Sequence, residues 1–365
     1  MHGAEGPLGV MAQEDHPYEL LNLTMAAVEE LGFHAGDIHG SVENEGFNNP
    51  HQVTLQDGWR MGSYRSYVEP ILGSAPITVL TFVPANRILL KGKKAEGVEV
   101  ERFGQIFHFK AGKEVILSAG AMNSPQLLML SGIGPREELR KHGIDMAKDL
   151  SGVGQNLQDH VMTAVSFSYD RQGLSASPFL HLNPLNLFDF FLRSGRGPLA
   201  HTGITTVGFA HSPLSPDAAA RPDIQFHVLQ MDYGVDYGAG LRDLQNVNRT
   251  VWDYHFAERL HLYGFSIAPT LIRPKSRGSV TLRSADPRQP PKVDFNYFAD
   301  ARDVKVLTEG LKMAVDFAYT RAFKEKGVEI FGPDKPICGK FLTSDKIPDG
   351  YTQEYFECCA REVID

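Results

Sequence analysis

Three small residues, Ala119, Gly120 and Ala121, lie between an apolar run at residues 115–117 and a helical pattern, a spacing that suits ligand binding. The run is typical of a strand that is buried on both faces, as in a parallel sheet. Small residues let a flat or phosphorylated ligand approach the backbone, and the N-terminus of a following helix offers N–H groups to anions. A purely structural use, in which the small residues let the helix pack against the strand, fits the spacing equally well.

Ser124 and Pro125 carry the signals of a helix start. Ser124 is a residue type that caps helices, and proline is favoured at the first helical position. We therefore expect a helix that begins at this pair, runs to about Leu130 and buries residues 127–129. Loss of such a cap should cost about 1 kcal/mol of stability.

The histidines and serines show none of the common catalytic spacings. The chain has fourteen histidines but no HExxH pattern, and no GxSxG elbow joins a strand to a helix, which argues against an α/β hydrolase. His160 follows Gln-Asp on a tight segment and is interpreted as a structural hydrogen-bonding residue. We expect no metal site. The histidines whose spacing gives them no partner are His201, His227, His255 and His261.

Three cysteines, Cys338, Cys358 and Cys359, are present and form no CxxC pair. Adjacent cysteines rarely bridge each other, and zinc sites need closely spaced ligand pairs. The sequence therefore predicts neither a structural zinc site nor a disulfide scaffold.

The elements around the small residues follow two periodicities. Residues 77–83 form an apolar, β-branched run, and residues 86–111 alternate in short segments separated by glycine turns. We expect an antiparallel meander over 86–111 that leads into a strand at 114–118 of a parallel sheet. Further strands are predicted at 161–170, 222–230 and 279–283, and a long amphipathic helix is predicted over 302–324. The fold class is therefore α/β, in an α+β two-domain arrangement.

Charge and hydropathy exclude several classes of protein. The net charge is -8 and no basic stripe is present, which argues against a nucleic-acid partner. No apolar run approaches the length of about 20 residues that a membrane span needs. Two N-glycosylation sequons, which begin at Asn22 and Asn248, are compatible with secretion of a full-length form, and the sequence leaves the compartment open.

Several motifs together resemble the glucose–methanol–choline family of flavin oxidoreductases. The stretch GAMNSPQLLMLSGIGP at 120–135 resembles the second signature of that family, and DLSGVGQNLQDH at 149–160 resembles the segment that follows it. HGAEGPLGV at 2–10, GWRMGSYRSYVEP at 58–70 and PKSRGSVTLRSADP at 274–287 also fit. The similarity covers almost the whole chain in order and looks closest to the arthropod glucose dehydrogenase-like members.

The resemblance implies an enzyme that uses FAD to oxidise the CH–OH group of an alcohol or sugar and passes the electrons to a quinone or another acceptor. It implies a partial Rossmann-like FAD-binding domain with an antiparallel-sheet substrate domain. The segments are 1–65 for the start of the substrate domain, 66–160 for part of the FAD domain and 161–365 for the substrate domain. The residues that the resemblance places beside FAD are Val83, Ala85, Ala119, Gly120, Ala121 and Ser124.

The chain departs from the family pattern at both ends. The resemblance implies that the GxGxxG turn for the FAD pyrophosphate lies upstream of Met1 and that the family's catalytic histidine lies beyond Asp365, so no catalytic residue is assigned. The sequence therefore leaves open a catalytically incompetent fragment or isoform, an internal piece that lacks both ends. A sugar-binding module without chemistry is a further alternative.

Overall fold

The chain is described by a computed structural model, in which it divides into two compact units. Unit 1 comprises Met1–Ala75, His160–Arg273 and Arg302–Asp365, and unit 2 comprises Pro76–Asp159 and Pro274–Ala301. The described residues are 3, 5–13, 19–38, 45–49, 51–169, 183–192, 195, 197–215, 221–231, 249, 252–253, 263–331, 338–344 and 350–362.

Seven α-helices of five residues or more and nineteen strands lie within the described residues. The helices are α1 Glu19–Glu30, α2 Gly120–Leu130, α3 Arg136–Lys141, α4 Pro184–Leu192, α5 Ala301–Asp316, α6 Arg321–Glu325 and α7 Gln353–Glu362. Shorter helical turns are Tyr64–Val68, Glu69–Ile71, Pro198–Ala200, Phe317–Tyr319 and Gly339–Phe341. The strands are β1 Met11–Ala12, β2 Ala35–Gly36, β3 Gly46–Asn48, β4 Gln52–Val53, β5 Leu55–Gln56, β6 Trp59–Arg60, β7 Ala85–Lys91, β8 Lys94–Arg102, β9 Gln105–Lys110, β10 Ile133–Gly134, β11 Lys148–Asp149, β12 Val161–Met162, β13 Val165–Tyr169, β14 Ile204–Ala210, β15 Ile224–Leu229, β16 Tyr263–Leu271, β17 Ser279–Thr281, β18 Lys292–Asp294 and β19 Glu329–Ile330.

Unit 1 is built on an eight-stranded sheet. Its strand order is β19-β13-β16-β15-β14-β3-β2, with β12 paired to β16, and only β2 and β3 run parallel. Along β15, burial alternates between Ile224, Phe226 and Val228, which are fully buried, and the intervening residues, which are half-buried. Period-two alternation of this kind gives the sheet one apolar face and one mixed face. The predicted strands at 161–170 and 222–230 are confirmed.

The apolar face of this sheet packs against α5. A Cβ added to Gly310 would lie 2.8 Å from the Cβ of Pro269 and 3.4 Å from Ile224, so the helix backbone runs close to β15 and β16. Val304, Leu307 and Leu311 of the same helix are buried. The apolar stripe on α5 and the buried face of the sheet therefore form one core.

The predicted helix over 302–324 is two helices. α5 ends at Asp316, and after a turn α6 begins at Arg321, where the side chain of Thr320 accepts a hydrogen bond from the Phe323 N–H. The turn brings Phe317 and Phe323 into the core, and both are fully buried. Burial of these two rings decides the break, since the amphipathic pattern continues through it.

Unit 2 contains the predicted meander. β7, β8 and β9 form a three-stranded antiparallel sheet, which confirms the prediction for 86–111. Arg87 and His108 lie opposite Glu99 on the neighbouring strands, and Arg87 donates two hydrogen bonds to the Glu99 carboxylate at 3.0 and 2.7 Å. Those hydrogen bonds from Arg87 lower the pKa of Glu99, which stays ionised and ties the strands together.

Two runs that read as strands are not strands in the structure. Residues 77–83 and 114–118 have no ladder partner among the described residues, and Ile116 is 80% exposed. An apolar run becomes a strand only when a neighbour pairs with its backbone, and the sequence of the run does not supply that neighbour. The prediction of a parallel strand at 114–118 is therefore wrong for this structure.

A disulfide joins Cys338 to Cys358, and Cys359 is a free thiol. The bridge connects the turn before Gly339–Phe341 to α7, and Cys338 is fully buried. The expectation that these cysteines would not support a bridge is therefore wrong, because the fold brings together two residues that are 20 positions apart. None of the helices in the described ranges has the length and apolar character to cross a membrane.

Candidate functional site

The N-terminus of α2 lies at the small residues that the sequence analysis selected. The helix begins at Gly120 and Ala119 is its N-cap, so the predicted start at Ser124 and Pro125 is wrong by about one turn. Ser124 lies inside the helix, where its hydroxyl accepts a hydrogen bond from the Ala119 N–H at 3.1 Å. Pro125 lies inside the helix, where it donates no backbone hydrogen bond. Leu127 and Met129 are buried as predicted, while Leu128 is half-buried.

Ser124 therefore satisfies the N–H group of the N-cap residue Ala119 from within the helix. We expect Ser124→Ala to lower the free energy of unfolding by about 1 kcal/mol, since the Ala119 N–H would lose its partner. Urea denaturation measures the change. Asn123→Ala, at an exposed position on the same helix, is the control and should leave stability within about 0.5 kcal/mol. Equal effects of the two substitutions would contradict a specific role for the Ser124 hydroxyl.

The start of α2 is open enough for a ligand. Ala119, Gly120 and Ala121 are exposed, and a Cβ added to Gly120 would meet no atom within 4 Å. Gly120 has φ +89°, a conformation that L side chains rarely adopt, so glycine serves the backbone here. The first N–H groups of a helix have no acceptor within the helix, and these are available to anions. The residues present thus fit one edge of a flat, negatively charged cofactor.

A hydrogen-bonded serine connects this helix to the meander. The Ile88 N–H of β7 donates to the Ser131 hydroxyl at 2.8 Å, and that hydroxyl donates to the Leu127 carbonyl of α2 at 2.6 Å. Strand β7 begins at Ala85, which is exposed, and Val83 just before it is half-buried. The structure thus places Ala85 on a strand that is fastened to the selected helix.

The segment after the signature is held by two side chains that the sequence analysis did not select. Arg277 donates to the Asn156 side chain at 2.8 Å, and the Tyr297 hydroxyl donates to Asp159 at 2.6 Å. Burial, followed by that hydrogen bond to a carboxylate, raises the pKa of Tyr297. A Cβ added to Gly154 would collide with the Val280 carbonyl, so glycine is needed where the segment crosses β17. Sequence spacing could not reveal these contacts, which join residues more than one hundred positions apart.

The mixed face of the sheet in unit 1 carries a second group of polar residues. The register pairs Gln225 with Thr270, and His227 lies on the same face as both because antiparallel partners point the same way. The His227 Nδ1 atom is 3.2 Å from the Thr270 hydroxyl oxygen, a hydrogen bond between diagonal neighbours. Ser166 and Ser266, with hydroxyl oxygens 3.5 Å apart, extend the same face. Ser266 and Thr270 are buried, while Gln225 and His227 are half-buried on the same face.

His227 is the one residue of this cluster whose pKa departs clearly from its ordinary value. Burial, followed by repulsion from the nearby His160, lowers the pKa of His227, so the imidazole is neutral at pH 7. A neutral imidazole can accept a hydrogen bond from a hydroxyl group. His227 has no candidate partner nearby in sequence, because Thr270 lies on another strand. His201, in contrast, is bonded to Gln13 at 2.6 Å and receives the Gly203 N–H at 3.0 Å, whereas His255 and His261 lie outside the described residues.

Within the described residues, no three His, Cys, Asp or Glu side chains are grouped so as to hold a metal ion. We assign no catalytic histidine within residues 1–365, and this expectation stays a prediction.

Comparison with protein families identifies the class of this chain. The GMC oxidoreductase family models match residues 1–162 and 274–356, and the chain belongs to that family. Its members are FAD-dependent enzymes that act on CH–OH donors, with a two-domain fold of the kind described above. The predicted family and fold class are confirmed, and the comparisons give no support to an inactive fragment or to a sugar-binding module.

Among curated proteins, the chain is 32% identical over 365 residues to the oxygen-dependent choline dehydrogenase of Brucella anthropi, covering 97% of this chain and 59% of that protein. It is 32% identical over 359 residues to the glucose dehydrogenase [FAD, quinone] of Drosophila pseudoobscura pseudoobscura, covering 97% of this chain and 53% of that protein. The chain thus spans between half and two thirds of the length of these relatives.

Solved structures of the same fold include formate oxidase, with a TM-score of 0.78 at 23% identity over 98% of this chain and 61% of that one. Pyridoxine 4-oxidase from Mesorbium loti has a TM-score of 0.71 at 21% identity, over 99% of this chain and 60% of that one. At these identities the likeness concerns the fold.

Proposed function

We propose that this chain is part of an FAD-dependent oxidoreductase that removes a hydride from the CH–OH group of an alcohol or sugar and delivers the electrons to a quinone or another acceptor. The observation that carries the proposal is the open, small-residue N-terminus of α2 in a chain of the GMC oxidoreductase family. One group of relatives is named glucose dehydrogenase [FAD, quinone]. This name supports a sugar donor and a quinone acceptor.

Unit 2 supplies the cofactor side of this function. FAD, when bound, provides the group that accepts the hydride. The residues that we propose to border it are Val83, Ala85, Ala119, Gly120, Ala121 and Ser124. Ala119 to Ala121 leave the backbone open to the ligand, and the first turn of α2 favours a negatively charged group. Ser124 acts indirectly, because its hydroxyl is engaged with the Ala119 N–H.

Unit 1 supplies a hydroxyl-binding face. His227 is neutral and hydrogen-bonded to Thr270, so its imidazole can accept a hydrogen bond from a donor's hydroxyl while Thr270 fixes the ring. Gln225, which is half-buried, adds a polar group on the same face of the sheet. Several such groups suit a donor with more than one hydroxyl, because each substrate hydroxyl that pairs with the protein adds to discrimination against analogues that lack it.

The class of reaction is tested with the FAD-loaded holoenzyme under anaerobic conditions. We expect at least one donor among glucose, choline and simple primary alcohols to bleach the visible absorbance of the oxidised flavin. We expect a quinone analogue to restore the absorbance. A holoenzyme whose flavin no donor of this panel reduces would contradict the proposal. If the flavin absorbance recovered faster with oxygen than with the quinone analogue, oxygen would be the acceptor. The proposed class of donor would be unaffected.

The hydroxyl-binding role of the sheet is tested by substitution. We expect His227→Ala to raise KM for the best donor by about two- to tenfold, the range for the loss of one hydrogen bond, with a smaller change in kcat. Thr270→Val should raise KM similarly, because the His227 imidazole loses its hydrogen-bond partner. His108→Ala, on the meander of unit 2, is the matched control and should leave KM unchanged. A His227→Ala holoenzyme with unchanged KM for every donor would exclude this face from substrate binding.

A further inference from the structure

Five lysines, hereafter the lysine patch, lie at one end of the meander in unit 2. Lys91, Lys93 and Lys94 lie at the turn between β7 and β8, Lys110 ends β9, and Lys113 follows that strand. All five residues are exposed. The run at 91–94 is short in the sequence, and the other two lysines join it because β9 pairs with β8.

The strand register places three of these lysines on one face of the sheet. Lys91 lies directly opposite Lys94. Lys110 lies opposite Gly97 of β8, and Gly97 lies opposite Leu89, which is two positions before Lys91 on β7. Antiparallel partners point to the same face, and so do residues two apart on one strand. Lys91, Lys94 and Lys110 therefore share a face, with the last two about 10 Å apart along β8.

The arrangement of these lysines does not stabilise the meander. Like charges directly opposite each other on paired strands are destabilising, as Lys91 and Lys94 are. None of the five lysines forms an ion pair within the part of the chain that the structure describes. Glu96 and Glu114 are the two acidic residues of the segments 91–96 and 110–114, so an excess of three positive charges remains there.

The other carboxylates of β8 do not neutralise the lysine patch, because other cations engage them. Glu99 is paired with Arg87 at 2.7 Å, and Glu101 is paired with Arg288 at 3.3 Å. Unit 2 as a whole contains sixteen Lys and Arg against twelve Asp and Glu, a net charge of +4, whereas unit 1 carries -12. The positive charge of the chain is therefore concentrated in unit 2, and the lysine patch is its unpaired part.

We propose that the lysine patch binds a sulfated polysaccharide. Several lysines spread over about 10 Å suit an anion that repeats along a flexible chain, because each ammonium is a compact charge on a flexible stem. Short clusters of basic residues are typical of heparin-binding patches. Polysaccharides of this kind are extracellular, and the Cys338–Cys358 disulfide fits an oxidising compartment outside the cell.

The lysine patch is separate from the proposed cofactor edge. Lys91 lies six residues after Ala85 on β7, a distance of about 20 Å at about 3.3 Å per residue. A polysaccharide on the patch would attach the protein to its surroundings without covering Ala85. The proposal therefore does not rest on the proposed oxidoreductase function and is tested without it.

Surface plasmon resonance on immobilised heparin tests the lysine patch, using the full chain without flavin. We expect the chain to bind heparin in about 0.1 M NaCl despite its net charge of -8, and to bind more weakly as salt screens the charges. The triple variant Lys91→Gln/Lys94→Gln/Lys110→Gln should raise Kd about tenfold or more, because each exposed charge pair contributes a modest amount.

The variant Lys141→Gln/Lys148→Gln/Lys292→Gln is the matched control, since it removes the same charge from exposed positions on α3, β11 and β18 of unit 2. It should bind heparin as the unsubstituted chain does, and far-ultraviolet circular dichroism checks that both variants are folded. The proposal is overturned if the unsubstituted chain does not bind heparin, or if the two variants lose equal affinity. Single-stranded DNA that competes as well as heparin at equal charge would identify the partner as a nucleic acid and would also overturn the proposal.

Discussion

Phe323→Ala is expected to lower the free energy of unfolding of unit 1 by about 3–5 kcal/mol, the range for removal of a buried phenylalanine ring. Phe323 is fully buried, and its ring centroid lies 5.6 Å from those of both Phe167 and Phe265. These two rings stack at 5.1 Å on neighbouring strands of the sheet, so Phe323 closes the aromatic core from α6. The substitution would leave a cavity where helix and sheet meet.

Urea denaturation followed by circular dichroism measures this loss as a lower midpoint of the transition. Phe103→Ala removes the same ring from a position that is 87% exposed, so its effect should stay within about 0.5 kcal/mol. If the two variants lost equal stability, the packing of Phe323 against Phe167 and Phe265 would not contribute to folding as the structure implies.

Removal of the disulfide is expected to cost about 3 kcal/mol. The double variant Cys338→Ala/Cys358→Ala opens a loop whose ends are 20 positions apart, and closure of a loop of this size restricts the unfolded chain by about that amount. Loss of the sulfur atom from the fully buried position 338 adds a packing penalty. Thermal unfolding without reducing agent measures the difference from the unsubstituted chain.

Cys359→Ala is the control for the disulfide, since this thiol is free and adjacent in sequence to a bridged cysteine. Dithiothreitol should bring the unsubstituted chain close to the stability of the double variant and should leave the double variant unchanged. A Cys359→Ala chain as unstable as the double variant would show that the loss comes from α7 packing and not from the bridge.

Local patterns in the sequence were sufficient for several elements. The meander over 86–111 follows from alternation and glycine turns, both of which act between neighbouring residues. The helical state of residues 125–130 and the burial of Leu127 and Met129 follow from the apolar content of this stretch, although the predicted helix start was wrong. Membership of the GMC oxidoreductase family also follows from short motifs, because each motif keeps its residue types and order within the chain.

Other features depend on contacts between distant segments, and the tertiary structure alone decided them. Residues 114–118 have the composition of a buried strand but no pairing partner among the described residues, so composition was misleading there. The start of α2 at Gly120 is a different case, because the Ala119 N–H donates to the Ser124 hydroxyl and this local bond joins residues only five positions apart. In both cases the local sequence permits two structures, a strand or no strand at 114–118 and a helix start at Gly120 or at Ser124, and the structure has only one of them.

The hydroxyl-binding face is the clearest example of a feature beyond the reach of sequence spacing. His227 had no partner within a few residues, and it was given no role. The antiparallel register of β15 and β16 brings it to Thr270, 43 positions away, and burial there keeps it neutral. The sequence by itself determined which residues alternate along each strand. Only the pairing of the strands decided which side chains meet, because a hydrogen bond and a shift of pKa depend on distance in space and on burial from water.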